Sequence, residues 1–223
     1  MAARKRDTTK KDQLVNLLRE AILNGEIAPG EKLVQEEIAA RYKVSPTPVR
    51  EAIQQLVAEG VLSQSPYRGV RVVEVNLADA REIYLIRGAV EALATRCAVP
   101  NLRLADVASL KALQTEIEQL AMQMGAPDRL IRCNYDFHMT IYRRAEMPHL
   151  EQIIRTLWLK SPWDTLFVIP GRAERVIGEH QRILAAIEAH DAAQAGAAMG
   201  DHIEQGRQML ESYLAVRAQD ERP

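Results

Sequence analysis

Three histidines and one asparagine of this chain have spacings that suit a metal site. Asn134 and His138 lie four residues apart, so on a helix their side chains share one face, with roughly 5–6 Å between the Cβ atoms. His180 and His202 fall on two later segments with helical periodicity. Neutral imidazole nitrogens and an amide oxygen can bind divalent ions such as zinc or nickel. We therefore predict a metal site between helices; the alternative is that these histidines are scattered surface or hydrogen-bonded groups.

The other two histidines have positions that suit capping or solvent exposure. His149 lies at a predicted helix start, and His190 lies at a predicted helix end. Both are left out of the predicted site.

A second group of residues suits contact with DNA. The segment from Leu33 to Leu62 contains two runs of apolar residues at helical spacing, separated by the short break Tyr42–Val44. Two helices joined this tightly meet at a steep angle, which lets the second helix enter a major groove. The sequence therefore predicts a helix-turn-helix here.

The start of the second helix carries groups that recognise nucleic acid. Ser45 is predicted to cap the helix, and Pro46 suits its first position. Hydroxyl groups and a guanidinium at a helix N-terminus can meet phosphates and base edges, which makes Ser45, Thr47 and Arg50 candidates for DNA contact, together with Pro46 between them. The alternative for Arg50 is a structural role, paired with an acidic neighbour.

Residues 61–73 alternate between apolar and polar around a Pro/Gly turn, which predicts a small hairpin with Arg68 near its tip. Helices and hairpin together predict a winged helix-turn-helix. Arg41, at the end of the first of the two helices, completes the candidate DNA contacts. The alternative for the helices alone is an ordinary helical hairpin with a hydrophilic face, but the wing and its basic tip favour DNA.

Size and charge restrict the possibilities. The chain has 223 residues and a mass of 25.0 kDa, which allows two modest domains, and 47% hydrophobic residues suffice for packed cores. The net charge is −1, and residues 1–75 carry 12 Lys or Arg against 10 Asp or Glu. DNA affinity must therefore come from locally placed cations, including those of the basic N-terminal tail.

The cysteines and the lack of long apolar segments indicate where in the cell the protein is located. Cys97 and Cys133 form no recognisable disulfide framework, which is typical of a reduced intracellular protein. No apolar run approaches the ~20 residues needed to cross a bilayer, and the polar start lacks a signal-peptide core. We expect a soluble cytoplasmic protein with no membrane partner.

Periodicity predicts a mainly α chain. A first helix is expected over about residues 12–24, and six further helices are expected at about 76–98, 103–123, 127–145, 148–166, 172–189 and 191–217. The predicted domains are an N-terminal winged helix-turn-helix over residues 1–75, with a basic tail over residues 1–11, and a C-terminal all-α helical bundle over residues 76–223.

From about Gln13 to Arg217 the chain resembles the GntR-type bacterial transcription regulators, in the branch named for FadR. Four groups of residues carry the resemblance, namely Gly25–Leu33, Val44–Ala52, Arg87–Glu91, and the set Asn134, His138, His180 and His202. The second of these is highly specific. Six helices in the second domain, the FCD effector domain, resemble the shorter VanR-like subgroup.

The resemblance implies a homodimer that binds a two-fold symmetric operator through its winged domains. It also implies a helical domain that binds a small effector, often a carboxylic acid, beside a divalent metal held by an acidic residue and three histidines. His138, His180 and His202 match those histidines, whereas Asn134 stands where many members have Asp. An uncharged amide oxygen binds a cation more weakly than a carboxylate does, so the match is incomplete at this position.

The DNA-binding residues also depart from the family pattern. Pro46 stands where many relatives have Arg, and Glu36 stands where the fatty-acid-responsive type has a DNA-contacting Arg. Base readout is therefore expected to rest on Thr47, Arg50 and Arg68.

An anionic effector needs a cationic partner, for which Arg87 is the candidate. The alternative is that Arg87 only pairs with Glu91, four residues later on the same helix. Trp158 and Trp163 are candidate lining residues, although large aromatic residues in a bundle often belong to its core.

These features predict a sequence-specific, ligand-controlled transcription regulator, and repression is the expected sign. One alternative is a metal-dependent hydrolase that uses the three histidines. The HExxH pattern is absent, however, and Glu204 is predicted to face away from His202. A second alternative is a non-specific architectural DNA binder, against which the nearly neutral charge argues.

Overall fold

The computed structural model describes residues 9–23, 25–74, 77–122, 127–161 and 169–220. Contacts within the chain divide it into two units, Met1–Glu74 and Val75–Pro223.

The first unit combines short helices with a small antiparallel sheet. Its elements are α1 (Lys10–Leu23), β1 (Lys32–Leu33), α2 (Gln35–Tyr42), α3 (Pro46–Ala58), β2 (Leu62–Ser65) and β3 (Gly69–Val72). The strand order is β1-β3-β2. Strands β2 and β3 pair from Leu62 opposite Val72 to Ser65 opposite Gly69, which is the predicted wing.

The sequence explains where α1 starts and what it buries. Thr9 and Asp12 form a capping box, because each side chain accepts a hydrogen bond from the backbone amide of the other, at 3.1 and 3.2 Å. Leu14 and Leu18, one turn apart on α1, are at most 1% exposed, as is Leu56 of α3. Burying each such side chain stabilises the fold by roughly 1.5–3 kcal/mol.

A tight turn positions α3 relative to α2. Lys43 adopts the left-handed conformation (φ 53°), and its amide donates to carbonyls in the last turn of α2. Arg19 of α1 donates to both carboxylate oxygens of Glu59, just beyond the end of α3, at 2.6 and 2.7 Å. The turn at Lys43 and the Arg19–Glu59 ion pair therefore hold α3 at both of its ends.

The second unit is helical throughout its described residues. It contains α4 (Leu77–Ala98), α5 (Leu104–Met122), α6 (Pro127–Tyr142), α7 (Pro148–Leu159), α8 (Arg172–Glu188) and α9 (Ala192–Asp220), with short 3-10 turns at Val99–Asn101 and Arg143–Ala145. Helix α9 packs closely along α4, where Gly196 meets the backbone of Ala92.

The predicted fold class is confirmed, with a winged helix-turn-helix followed by an all-α bundle. The described part of the second unit has the six predicted helices, with two adjustments. Helix α6 ends at Tyr142 because the chain continues as a 3-10 turn, and α7 ends at Leu159. The rest of the predicted helix 148–166, including Trp163, lies outside the described residues.

Candidate functional site

The N-terminal end of α3 presents an exposed polar surface formed by Ser45, Pro46, Thr47 and Arg50. Ser45 occupies the N-cap position with extended backbone, but its side chain makes no capping hydrogen bond. A capping side chain bonds the amide of the second or third helical residue, and the third residue here is Pro48, which has no N–H. The predicted capping bond of Ser45 is therefore wrong, although its position is right.

Two of the candidate arginines on this unit, Arg50 and Arg68, are exposed and form no ion pair with any residue that the structure describes. No ion pair between described residues involves Arg50, so nothing there supports its alternative structural role. Arg68 lies exposed in the β2–β3 turn, and its backbone amide donates to the Ser65 hydroxyl at 3.1 Å. Beside it, Tyr67 is 99% exposed.

Arg41 differs from the other two. Its guanidinium forms an ion pair with Glu26 and lies 5.4 Å from the centroid of the Tyr42 ring. It lies at the C-terminal end of α2, where a cation is favourable in the field of the helix dipole. Both contacts give Arg41 a role in the fold of the first unit, whatever else it binds.

Three histidines converge inside the second unit. His138 of α6, His180 of α8 and His202 of α9 are at most 4% exposed, and one ring nitrogen from each lies within 4.8 Å of the others. Three helices that are distant in the sequence therefore contribute to one buried cluster. The exposed His149 and His190 take no part in it.

Hydrogen bonds at the Nδ1 atoms determine which nitrogen of each ring carries the proton. Nδ1 of His202 lies 2.6 Å from Oε2 of Glu179, and a carboxylate only accepts, so His202 donates there. Tyr142 donates its hydroxyl proton to Glu91, so the tyrosine oxygen accepts from Nδ1 of His138, at 2.8 Å.

His180 follows the same pattern. Its Nδ1 lies 3.2 Å from Oε1 of Gln114. The amide nitrogen of Gln114 donates to Glu118 and to the Ile177 carbonyl, which leaves Oε1 as an acceptor for the His180 proton. Neutral imidazole carries one proton, so all three histidines have a bare lone pair on Nε2.

These buried Nε2 lone pairs have no hydrogen-bond donor among the described residues. Nε2 of His138 and Nε2 of His202 lie 3.2 Å apart, yet two acceptors cannot hydrogen-bond to each other. Nε2 of His180 has no hydrogen-bond partner among the described residues. Two nitrogens bound to one zinc ion at 2.0–2.1 Å would be about 3.4 Å apart in tetrahedral geometry, so the spacing fits a shared cation.

Asn134 lies close to this cluster in the sequence of α6, and its side-chain oxygen has no partner among the described residues. It lies one turn before His138 on α6, is 2% exposed, and its Oδ1 has no hydrogen-bond partner in the described structure. A buried carbonyl oxygen without a partner is costly, which is consistent with a role as a ligand. The three histidines lie together as the sequence predicted, and Asn134 as their fourth ligand stays a prediction that its buried, unpartnered oxygen supports.

Electrostatics keeps the rings neutral. Burial lowers the pKa of His138 and of His180 well below the usual value, and the nearby His202 and Arg172 act in the same direction. Burial also lowers the pKa of His202, although Glu179 opposes this. Neutral imidazole is the form that binds metal.

Arg87 is buried and engaged in an ion pair. Its Nε donates to Oε1 of Glu91 at 2.6 Å, with side-chain exposures of 1% and 0%, and a guanidinium nitrogen donates to Ser161 at 3.2 Å. The alternative weighed from the sequence, a pair with Glu91, is therefore present, but inside the bundle rather than at an exposed position. Whether Arg87 also binds an effector stays a prediction.

Trp158 is fully buried beside this pair. Its indole N–H donates to Oε1 of Glu91 at 3.1 Å, and the Arg87 guanidinium lies 4.8 Å from its ring. Glu91 accepts from Tyr142 as well, and Tyr142 accepts from His138. A chain of hydrogen bonds therefore joins Trp158 and Arg87 to the histidine cluster.

Sequence reasoning missed a second buried charge pair. Arg172, at the start of α8, donates to both carboxylate oxygens of Glu179 at 2.8 and 2.9 Å, and both residues are 2% exposed. Burial alone would raise the pKa of Glu179, but the hydrogen bond from His202 and the charge of Arg172 lower it. The position of Glu179 next to His180 was the only available signal.

Two buried donors, one of them Nε of Arg172 itself, have no acceptor in the part of the chain that the structure describes. The Tyr84 hydroxyl and Nε of Arg172 have no hydrogen-bond partner among the described residues, and Tyr84 is 3% exposed. A Cβ atom on Gly206 would lie 3.3 Å from the Tyr84 ring and 3.5 Å from the Arg172 guanidinium. The side chains of Tyr84 and Arg172 therefore both approach Gly206, which is one turn after His202 on α9.

Glu204 does not belong to the cluster. It is held by Arg207, whose guanidinium lowers the pKa of this carboxyl to about 2. Such a carboxylate is a weak base, which leaves the hydrolase alternative without a proton acceptor at this position.

No helix in the described ranges has the length and apolar character needed to span a membrane.

Comparisons with known proteins match both units. Residues 10–72 match the model for bacterial regulatory proteins of the gntR family, and residues 82–205 match the FCD domain. The chain is 32% identical over 183 residues to the HTH-type transcriptional regulator McbR of Escherichia coli (strain K12), covering 80% of this chain and 82% of McbR. The HTH-type transcriptional repressor RspR of the same strain is 25% identical over 226 residues, 93% of this chain and 90% of RspR.

A solved structure extends the similarity to three dimensions. The structure of E. coli McbR/YncC matches with a TM-score of 0.81 and 29% sequence identity, over 93% of this chain and all of that one (100%).

Proposed function

Since the chain belongs to the GntR family of bacterial regulatory proteins and carries an FCD domain, it is a DNA-binding transcription regulator with a C-terminal effector domain, and we propose that it is a repressor released from its operator by a small organic acid. The similar RspR is named a repressor. None of the matched proteins supports the hydrolase alternative, and their names describe regulators.

The proposed DNA contacts combine the start of α3 with the wing. Thr47 and Arg50 read base edges in a major groove, Ser45 contacts a phosphate, and Arg68 meets the adjacent backbone or groove. Their exposure and the absence of an ionic partner for Arg50 in the described structure support this assignment. Pro46, exposed at the first position of α3, and Arg41, which also forms an ion pair with Glu26, complete the proposed contacts.

The proposed cation site is the donor set of Asn134, His138, His180 and His202, with zinc or nickel as the expected ion. One observation carries this proposal, namely the two Nε2 lone pairs of His138 and His202 that face each other at 3.2 Å. A bound divalent ion supplies a positive charge and an open coordination position for an anionic oxygen.

The protein's own residues orient that site. Glu179, Gln114 and the Tyr142–Glu91 pair hold the three Nδ1 protons and so direct the Nε2 atoms inward. Such outer partners fix ring orientation and raise the basicity of the ligand. Arg87 and Trp158 lie beside Glu91, and we assign them to the wall next to the effector.

Control of DNA binding requires two states of a homodimer. Two winged domains must present their α3 helices about one turn of DNA apart, ~34–36 Å. An effector that binds the DNA-incompetent state more tightly by ~1.4 kcal/mol weakens operator binding about tenfold per binding event. The family match and the two-unit architecture support this mechanism.

The test is a selection of duplexes from a randomised pool by the full-length purified chain, with and without candidate organic acids. We expect enrichment of a two-fold symmetric sequence that an active acid reduces. Equal retention of operator and random duplex under every condition would contradict specific regulation and favour the architectural alternative. Elemental analysis of the same preparation measures bound metal, and a thermal-shift screen identifies the acid, because a ligand that binds only the folded state raises apparent stability.

A further inference from the structure

A groove on the surface of the second unit lies between the start of α8 and the C-terminal half of α9. It has a volume of about 470 Å³, which falls within the roughly 300–1,000 Å³ of small-molecule sites. None of the residues that line it belongs to the histidine cluster or to the candidate effector contacts Arg87 and Trp158. The groove is therefore formed by a different set of residues from the site described above.

One part of this groove is apolar. Ile169, just before α8, and Met209 and Val216 of α9 contribute apolar groups, and Val216 is 57% exposed. Met209 and Val216 are seven residues apart, which is two turns on one helix face and about 10 Å along the axis. Tyr213 lines the groove as well. A flat apolar ligand would remove this surface from water, and thioethers and tyrosine rings favour an aromatic partner.

The positive charge of the groove comes from one arginine. Arg175 of α8 is exposed and forms no ion pair with any residue that the structure describes. The described residues that line the groove include no carboxylate, and Glu204 and Glu211 of the same part of α9 both pair with Arg207. A guanidinium binds a carboxylate through two parallel hydrogen bonds. The groove therefore favours a ligand with one negative charge.

The polar residues of the groove are held in place by the protein itself. In the orientation that satisfies both ends of its amide, Gln205 donates to Oε1 of Glu179 at 2.9 Å and accepts from Arg182 at 3.3 Å. The Ser212 hydroxyl donates to the Gln208 carbonyl at 2.8 Å. Side chains that are already ordered lose little conformational freedom when a ligand binds, so this part of the groove is preorganised.

We propose that this groove is a second ligand site of the protein and that it binds an aromatic monocarboxylate. The carboxylate pairs with Arg175, and the rings lie along Met209, Tyr213 and Val216. Binding there requires neither a metal nor the histidine cluster, so the site goes beyond the proposed function and does not depend on it.

The experiment titrates the full-length protein with 2-naphthoate by isothermal titration calorimetry, in the presence of EDTA so that no divalent metal takes part. We expect one saturable site per chain with a dissociation constant of about 100 μM or tighter. The neutral analogue 2-naphthylmethanol has the same rings without the charge. It should bind at least about tenfold more weakly, because it loses the charge-assisted hydrogen bonds.

Variants at two exposed residues of the groove test the contacts. Arg175→Gln should weaken naphthoate binding by about tenfold or more and leave the binding of naphthylmethanol unchanged. Val216→Asp places a negative charge on the apolar surface and should weaken naphthoate binding at least as much. Arg96→Gln, which alters an exposed arginine outside the groove, is the matched control. His180→Ala, in the histidine cluster, should bind naphthoate as the wild type does.

Equal naphthoate affinity of Arg175→Gln and the wild type would overturn the proposal. Loss of binding in His180→Ala would also overturn it, because the ligand would then lie at the histidine cluster. Absence of binding to the wild type would reject the site in any case. If Val216→Asp were then also monomeric in sedimentation while the wild type is dimeric, a second copy of the chain would be the occupant of the groove. The metal and DNA proposals are tested separately, by the elemental analysis and the duplex selection.

Discussion

One hydrogen-bond partner at Nδ1 determines the tautomer of each histidine in the cluster, and therefore which ring nitrogen can bind a cation. Gln114 lies 66 residues from His180 in the sequence, and Glu179 lies 23 residues from His202. The residue types and their helical spacing suggested metal binding, but they did not reveal the tautomers. The structure shows that the partner at each Nδ1 accepts a hydrogen bond, so the unprotonated nitrogen of each ring is Nε2.

The first prediction at this scale concerns a cation donor. His180→Ala removes one of the three Nε2 atoms, so zinc affinity should fall by at least about 100-fold, because even the loss of an outer partner costs 10–100-fold. Metal content per chain and the operator response to effector measure the result. His190→Ala, which alters an exposed histidine, is the matched control. Wild-type metal stoichiometry in His180→Ala would exclude the site.

The second prediction concerns base readout. Arg50→Ala should weaken operator binding by about 1–3 kcal/mol, the value of a good bidentate base contact, while dimerisation and metal content remain unchanged. Fluorescence anisotropy with a labelled operator measures the change. Arg96→Ala removes the same charge from an exposed position in the second unit and should bind DNA normally. Unchanged binding by Arg50→Ala would remove this arginine from the readout.

Helices and strands were predicted correctly from the sequence where their periodic patterns extend over several residues. Six helices of the second unit and the wing hairpin came directly from periodicity and from Pro and Gly at their ends. Strand β1 has only two residues, Lys32 and Leu33, and owes its existence to pairing with β3. Periodicity cannot detect so short a strand, which explains why no strand was predicted at these two residues.

Close packing of α9 on α4 leads to a prediction at the element scale. A Cβ atom at Gly196 would lie 3.0 Å from the Ala92 carbonyl oxygen and 3.2 Å from Cβ of Arg96. Backbone atoms cannot move aside as a flexible side chain can, so Gly196→Ala should lower the free energy of unfolding of the second unit by about 1–3 kcal/mol. Urea denaturation monitored by circular dichroism measures it.

Gly178 of α8 is a suitable control because, unlike Gly196, it has open space where a Cβ atom would be. A Cβ atom there meets nothing within 4 Å, so Gly178→Ala should stabilise the helix by up to about 1 kcal/mol through its higher helix propensity. If Gly196→Ala were also stabilising, the close approach of α4 and α9 would be excluded.

At the scale of the whole molecule, the two units differ in where they place their arginines. The first unit keeps its candidate arginines Arg50 and Arg68 in solvent, whereas the second buries Arg87 and Arg172 against carboxylates. The exposed cations can meet a phosphate backbone without a desolvation penalty, and the buried ones form a preorganised wall around the histidines. This division suits a protein that binds DNA through one unit and a small molecule through the other.

The buried histidines make the stability of the second unit depend on pH. The folded-state pKa values of His138 and His180 lie well below the unfolded value of about 6.5, so below that pH the unfolded chain binds more protons than the folded one. The contribution of these two histidines to the free energy of unfolding should therefore be constant above about pH 7.5 and fall by about 1.4 kcal/mol per pH unit for each of them as the pH drops below 6.5.

Denaturation of metal-stripped protein at a series of pH values measures this slope through the transition of the second unit. His180→Asn should make the pH dependence shallower, because one buried neutral ring is removed. A free energy of unfolding that stays constant between about pH 7.5 and 5.5 would contradict neutral burial of the histidines.

The sequence by itself determined the periodic and local features of this protein, which are its helices, its wing, the exposed start of α3 and the choice of Asn134 with three histidines. Those features depend on residues within a few positions of one another. Only the tertiary structure decided which nitrogens face inward, that Arg87 is buried against Glu91, and that Glu179 joins Arg172 to His202. Most of these contacts join residues that lie far apart in the sequence and meet only because the helices pack together. Burial then decides which of the groups are charged. A local sequence pattern encodes neither the packing nor the burial.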